Sequence, residues 1–231
     1  MEIPLYLAMT AAEFAHCTAL PEKIGWMACH FSSYGTGLCN LPDRLPKDSL
    51  LIVNDRTPIC GHNPELIFSQ LTAVIQEQSI AAVLLDFQRP DVKETQVLTK
   101  HLIELPCPVA VSHPYAESHD CPVFVPPVPV NEKIETHLAP WQGREIWLEA
   151  ALGSMTIHLD AHGSVDDEYA LENDASLPFS DSELHCHYRI EAGADAVSFH
   201  IKRSKEDLAK LLETTTHYGV TTAVGLYQEL K

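Results

Sequence analysis

Short runs of strand-forming residues, each closed by polar or charged residues, recur along this chain. They are Leu5–Met9, Ile24–His30, Leu50–Asp55, Ala81–Asp86, Val109–His113, Val123–Pro126, Glu145–Glu149 and Thr221–Tyr227. Ala81-Ala82-Val83-Leu84-Leu85 is continuously apolar, which suits a parallel strand covered on both faces. Three stretches between the runs have helical spacing. Asn63 and Pro64 open the first, with Leu66, Ile67, Leu71, Val74 and Ile75 at helical intervals. The second is predicted from about Asp91 to Leu105, with Val97, Leu98, His101, Leu102 and Leu105 on one face. Ser204-Lys205-Glu206-Asp207 reads as a capping box opening the third, which carries Leu208, Leu211 and Leu212 and stops near Gly219.

From about Leu152 to Arg203 the period changes to two. Ile157 and Leu159 alternate with Thr156, His158 and Asp160; Leu184, Cys186, Tyr188 and Ile190 with His185, His187 and Arg189; Val197, Phe199 and Ile201 with Ser198, His200 and Lys202. These are antiparallel strands with one dry and one wet face, interrupted by an acidic loop over Asp166–Glu183. The whole pattern predicts an α/β fold: a compact, partly degenerate (β/α)8, or TIM-like, barrel with several helices short or missing. Residues 1–231 form a single domain, with an antiparallel β-meander at 152–203 inserted after the seventh strand and the eighth helix absent. A length of 231 residues is tight against the roughly 250 typical of such barrels, whose chemistry sits at the C-terminal ends of the strands.

Composition narrows the partners. A hydrophobic share of 45% supports a packed core, and a formal charge of −17 repels phosphate backbones, so no nucleic-acid partner is expected. Met1-Glu2-Ile3-Pro4 lacks the basic start of a signal peptide, and no run reaches the roughly 18 apolar residues of a membrane span. Seven scattered cysteines without CxxC spacing read as reduced thiols, so a cytoplasmic protein with no membrane association is expected. Cys29, Cys107, Cys121 and Cys186 adjoin apolar runs and are expected as small core residues.

The strand ends collect His30, Asn54, Asp55, Arg56, Asp86, Gln88, Arg89, His113, Tyr115, Glu149, Gln228 and Glu229. Asp86, Glu149 and Glu229 are the candidate catalytic carboxylates, since two close carboxyls have split pKa values and one keeps its proton as an acid. The competing reading pairs Asp55, Asp86 and Glu149 with Arg56, Arg89 and Arg144 as rim salt bridges. Candidate ligand-binding residues are His30, Tyr34, Asp55, Arg56, Gln88, Arg89, His113, Tyr115, Tyr227 and Gln228; Phe87 is a further strand-end aromatic on which a sugar ring would stack. Trp147, in mid-strand, is expected in the core.

The segment Ala81–Gln88 resembles the fourth-strand motif Asp-x-x-Asp-x-Asp-x-Glu of family 18 glycoside hydrolases, the chitinase-like barrels. The third Asp of the motif falls on Asp86 and the Glu on Gln88; the first two Asp positions hold Ala81 and Leu84. In that family the Glu protonates the leaving oxygen while the Asp helps the substrate's own acetamido group attack. A Gln amide has no titratable proton to give. The resemblance therefore implies a catalytically impaired relative, or one in which Glu149 or Glu229 has taken over the acid role.

Other chemistry is sparse. Tyr34-Gly35-Thr36-Gly37 is a short glycine loop, and without a Walker lysine or a GxGxxG no cofactor is expected. The first run ends Ala8-Met9-Thr10, without the His-x-His of amidohydrolase-type metal barrels. His158, His185, His187 and His200 project from the polar faces of the inserted strands and are the candidate metal ligands; hydrated surface histidines are the alternative. Cys29 and His30 are neighbours on a strand, point to opposite faces and cannot pair as nucleophile and base. The expected function is a carbohydrate-directed, glycoside-hydrolase-like barrel binding a small molecule or oligosaccharide at its strand ends. The alternatives are a non-enzymatic binding or self-assembly protein using the inserted sheet, with a homodimer covering the flank left by the eighth helix, and a metal-binding protein using the histidines.

Overall fold

The computed structural model describes residues 3–35, 37–57, 61–89, 93–118, 120–160, 165–168, 177–193 and 196–231. Eight parallel strands close on themselves: β1 (Leu5–Met9), β2 (Ile24–Phe31), β4 (Leu50–Asn54), β5 (Ala82–Asp86), β6 (Val109–Ser112), β7 (Val123–Val125), β8 (Ile146–Ala150) and β14 (Val220–Leu226). Closure runs through β1, which pairs with both β14 and β2. This is the (β/α)8 barrel that the apolar runs predict.

The two faces of each strand explain why these runs are apolar throughout. On β5, Ala82 and Leu84 point into the barrel while Val83 and Leu85 point out. The interior is a compact cluster of Tyr6, Ala8, Leu50, Ile52, Ala82, Leu84, Ala110, Phe124, Trp147 and Val224. The outer layer packs strand residues such as Val53, Val83, Leu85 and Leu148 against the helices. Trp147 is core, as expected, and fills the barrel beside Phe124.

Helices are unevenly distributed. α2 (Pro64–Gln78) and α3 (Lys93–Leu102) are regular; α1 (Ala11–His16) and α4 (Ile134–Leu138) are short; α5 (Lys205–Thr215) precedes the last strand and a single turn, α6 (Tyr227–Leu230), follows it. The Asn63 side chain caps α2 by accepting from Glu65 N, and Ser204 with Asp207 forms the predicted capping box of α5. The predicted start of α3 near Asp91 lies outside the described residues. Its buried stripe is Thr95, Leu98, Thr99 and Leu102, and Val97, placed inward from the sequence, is exposed. Thr99 reaches the stripe because its hydroxyl donates to the Thr95 carbonyl, so that hydroxyl is buried with a partner. Two further features were not predicted. β3 (Leu38–Cys39) folds back antiparallel on β2, and α6 occupies the place where the eighth helix was expected to be missing.

After β8 the chain leaves the barrel and builds a five-stranded antiparallel sheet: β9 (Ser154–Asp160), β10 (Val165–Glu168), β11 (Phe179–Asp181), β12 (Cys186–Ala192) and β13 (Ala196–Lys202). The spatial order is β10-β9-β13-β12-β11, so β13 lies between β9 and β12 rather than following them in sequence as in a meander. The insertion is fastened to the barrel by Arg203, whose side chain is almost fully buried and donates to the carbonyls of Val128, Pro129, Leu184 and His185. Around it Val130, Met155, Cys186 and Ile201 form a small third core. No helix among the described residues is long and apolar enough to cross a membrane.

Candidate active site at the barrel mouth

The parity that sends Ala82 and Leu84 inward carries one residue further. Asp86, last on β5, turns into the barrel mouth, as Asn54 does on β4 and Glu149 on β8. Parallel register sets Asn54 beside Asp86 and His30 beside Asn54. These side chains ring a cavity of about 630 Å³ whose walls include Thr10, His30, Asn54, Asp55, Arg56, Asp86, Gln88 and Glu149. Its apolar part is made by Met27, Ile52, Leu84, Phe124 and Val224, so the cavity rests on the barrel's interior cluster.

Two networks hold its polar wall. Asp86 Oδ1 accepts from Gln88 Nε2 at 2.5 Å and from Ser112 Oγ at 3.2 Å. Asp55, buried, accepts through Oδ2 from the backbone N–H groups of Gln88 and Arg89, both at 3.0 Å. Asp55 therefore shapes the loop that presents Gln88. Asn54 is partly committed: one amide N–H donates to the Met27 carbonyl, and its oxygen accepts from Arg56 N.

The electrostatics of the mouth are one-sided. Burial pushes the Asp86 carboxyl above its usual range against the opposing hydrogen bonds from Gln88 and Ser112, and the charge of Asp55 adds to the rise. Burial, then the charges of Asp86 and Glu229, push Glu149 the same way. Neither Asp55, Asp86 nor Glu149 forms an ion pair with a described residue, so the rim-salt-bridge reading is not what the geometry displays. Arg144 instead donates to the carbonyls of Ala116 and Cys121, and Arg89 to that of Arg56.

Other predicted residues lie elsewhere. Tyr115 is buried in the outer core against Phe87, with its hydroxyl donated to the Arg89 carbonyl. His113 packs edge-on to Trp141, and burial lowers its pKa, with His137 adding to the effect. Tyr34 is 89% exposed in the β2–β3 hairpin, and Gly37 there sits at φ 113° against Gln70 on α2; Thr36 lies outside the described residues. Arg89, Tyr227, Gln228 and Glu229 do not line the cavity: Tyr227 bonds to Cys17, and Glu229 accepts from Leu152 N at 2.6 Å. Thr10 and Met27, which do line it, sit just past and within strands; inward parity on β2 marks Met27, and on β1 the inward Tyr6 and Ala8 carry the same parity to Thr10.

The inserted histidines have local partners. His158 Nδ1 meets Ser198 Oγ, His187 Nδ1 meets Asp207, and His200 lies between Thr156 and Glu191. His185 lies in a turn at φ 50°, off the strand on which alternation had placed it. Among the described residues no three His, Cys, Asp or Glu side chains converge as metal ligands.

No protein-family model matches the chain, and no curated protein matches its sequence. Solved structures do match in fold. The Bacillus cereus spore cortex-lytic enzyme SleL superposes with a TM-score of 0.56 at 7% identity, covering 99% of this chain and 71% of that one. A chitinase from Chromobacterium violaceum gives 0.53 at 12% identity, covering 96% and 93%. The Bacillus megaterium SleL gives 0.54 at 9% identity, covering 96% and 70%. The chitinase-like resemblance of the fourth barrel strand thus extends to the fold of nearly the whole chain.

Proposed function

We propose that the barrel mouth is a carbohydrate-binding site of glycoside-hydrolase type in which proton donation from the fourth strand has been lost. The observation that supports this reading most directly is the Asp86–Gln88 pair. It stands on the wall of the cavity, at the motif positions where a chitinase-like barrel carries its orienting Asp and its acid Glu. In this reading Asp86 orients the sugar and Gln88 binds where the acid stands in that family. Glu149, whose carboxyl is held above its ordinary range by burial and neighbouring charge, is the remaining candidate for the acid role. Arg56 and His30 contribute from the rim.

The cavity, about 630 Å³, falls within the ~300–1,000 Å³ of small-ligand sites. Phe124 is its aromatic surface, and the tyrosines considered from the sequence lie outside it. The reading is tested by thermal stabilisation of the purified protein across a panel of oligosaccharides that includes N-acetylglucosamine oligomers. A shift for one glycan class, followed by a turnover assay on that glycan, supports the site and separates binder from enzyme. No shift for any glycan overturns the reading.

A further inference from the structure

Resting on the carbohydrate reading of the mouth, we propose that the cavity selects an amino sugar with a free, positively charged amine over its N-acetylated form. Apart from the guanidinium of Arg56, which is exposed at the rim, the hydrogen-bonding capacity left on the wall is mostly acceptor capacity. Asp86 commits Oδ1 to Gln88 and Ser112 and keeps Oδ2. Glu149 accepts no hydrogen bond among the described residues and keeps both oxygens. Gln88 commits one amide N–H to Asp86 and keeps its carbonyl oxygen and a second N–H. His30 Nδ1 faces the Ala28 carbonyl and must donate to it, so the neutral ring offers only the lone pair of Nε2. Asn54 has committed one amide N–H and one lone pair of its oxygen, and keeps a second N–H.

An ammonium group brings three donors and a positive charge to such a wall. An acetamido group brings one donor and a carbonyl that needs a donor in return, for which the inner wall offers only the spare amide N–H groups of Asn54 and Gln88. Charge points the same way. Two partly buried carboxyls share the cavity without an ion-pair partner, an arrangement that is costly until a cation enters. Burial holds both carboxyls above their ordinary range, and a bound ammonium would oppose that shift. Arg56, the cation nearest the mouth in sequence, lies exposed on the rim and pairs with neither.

The test is isothermal titration of the intact protein with a glucosamine trimer and with an N-acetylglucosamine trimer at equal ionic strength. Wild type, Glu149→Gln and Glu104→Gln are compared. Glu104 is exposed on the surface, so its variant controls for the general attraction of cations to a chain of charge −17. The expected result is a preference of about tenfold or more for the free-amine trimer, lost in Glu149→Gln and kept in Glu104→Gln. Equal binding of the two trimers, tighter binding of the N-acetylated one, or a preference that survives Glu149→Gln overturns the inference and leaves the carbohydrate site standing. Binding of neither trimer removes the inference, and the panel of other glycans then decides the carbohydrate reading. If Glu149→Gln fails to fold by circular dichroism, Asp86→Asn takes its place with the same expectation.

Discussion

Gln88 donates its side-chain amide to Asp86 at 2.5 Å, two residues along the same chain and on the wall of the same cavity. A carboxyl at position 88 would compete with Asp86 for a proton; an amide instead gives Asp86 a donor, which opposes the rise that burial imposes on its carboxyl. The contact that organises the mouth is thus the one that removes an acid from it.

Replacing the amide reverses this. Gln88→Glu places two carboxyls in hydrogen-bond reach, so one holds a proton well above its ordinary range. Hydrolysis of the glycan identified by binding should rise by about 10²-fold or more over wild type, read as release of reducing ends. An unchanged rate would show that Asp86 and position 88 do not face the reacting bond.

Glu149 carries a pH signature. Its carboxyl binds a proton more tightly folded than unfolded, because burial and then the charges of Asp86 and Glu229 oppose its ionisation. Its contribution to stability is therefore fully present below the unfolded value of about 4.3 and is lost as pH rises through the higher folded value. Glu149→Gln should melt about 1–3 °C above wild type in mildly alkaline buffer, with the difference closing toward acid pH. Scanning calorimetry across pH checks both the sign and the convergence.

Asp55 acts through the backbone. It is buried and accepts two amide hydrogen bonds from the Gln88–Arg89 loop. Asp55→Ala leaves both donors without that acceptor, at a cost of roughly 2–4 kcal/mol, and releases the loop that presents Gln88. Chemical denaturation should report the loss. Asp55→Asn, which keeps one acceptor oxygen, should recover part of it.

Arg203 fastens the inserted sheet. Four backbone carbonyls converge on its guanidinium from the β7–α4 connection and from the turn before β12. Arg203→Met should cost roughly 3–5 kcal/mol by orphaning those acceptors. In hydrogen exchange, the amides of β12 and β13 should lose protection before those of β4 and β5, because the barrel core contains no part of this network. Equal loss across both regions would count against a locally fastened insertion.

The barrel could be read from the chain because its strands are buried on both faces and so appear as unbroken apolar runs, each stopped where the chain reaches the mouth. Parity then carries Asp86 and Glu149 inward from Leu84 and Trp147. What could not be read depends on contacts between distant segments. Tyr115 looks like a strand-end ligand residue until the Arg89 carbonyl and Phe87 claim it. Thr95 and Thr99 look solvent-facing until their local hydrogen bond lets them face the core. Alternation placed Ile157, Cys186, Tyr188, Phe199 and Ile201 on the packed face, but Leu159 and Ile190 are exposed and Thr156 is buried, and alternation carries no information about neighbours, so the central place of β13 was hidden. Short elements such as α1 and α6 give too few residues for a period to show.

The most direct test of the account is a crystal structure of the protein with a bound oligosaccharide from the class that stabilises it. The account predicts a sugar ring in the barrel mouth, in hydrogen-bond contact with Asp86, Gln88 and Glu149 and resting on Phe124. Density for the sugar on the inserted sheet, or in the groove of about 540 Å³ between Leu5 and Leu208, with the mouth left empty, would contradict it.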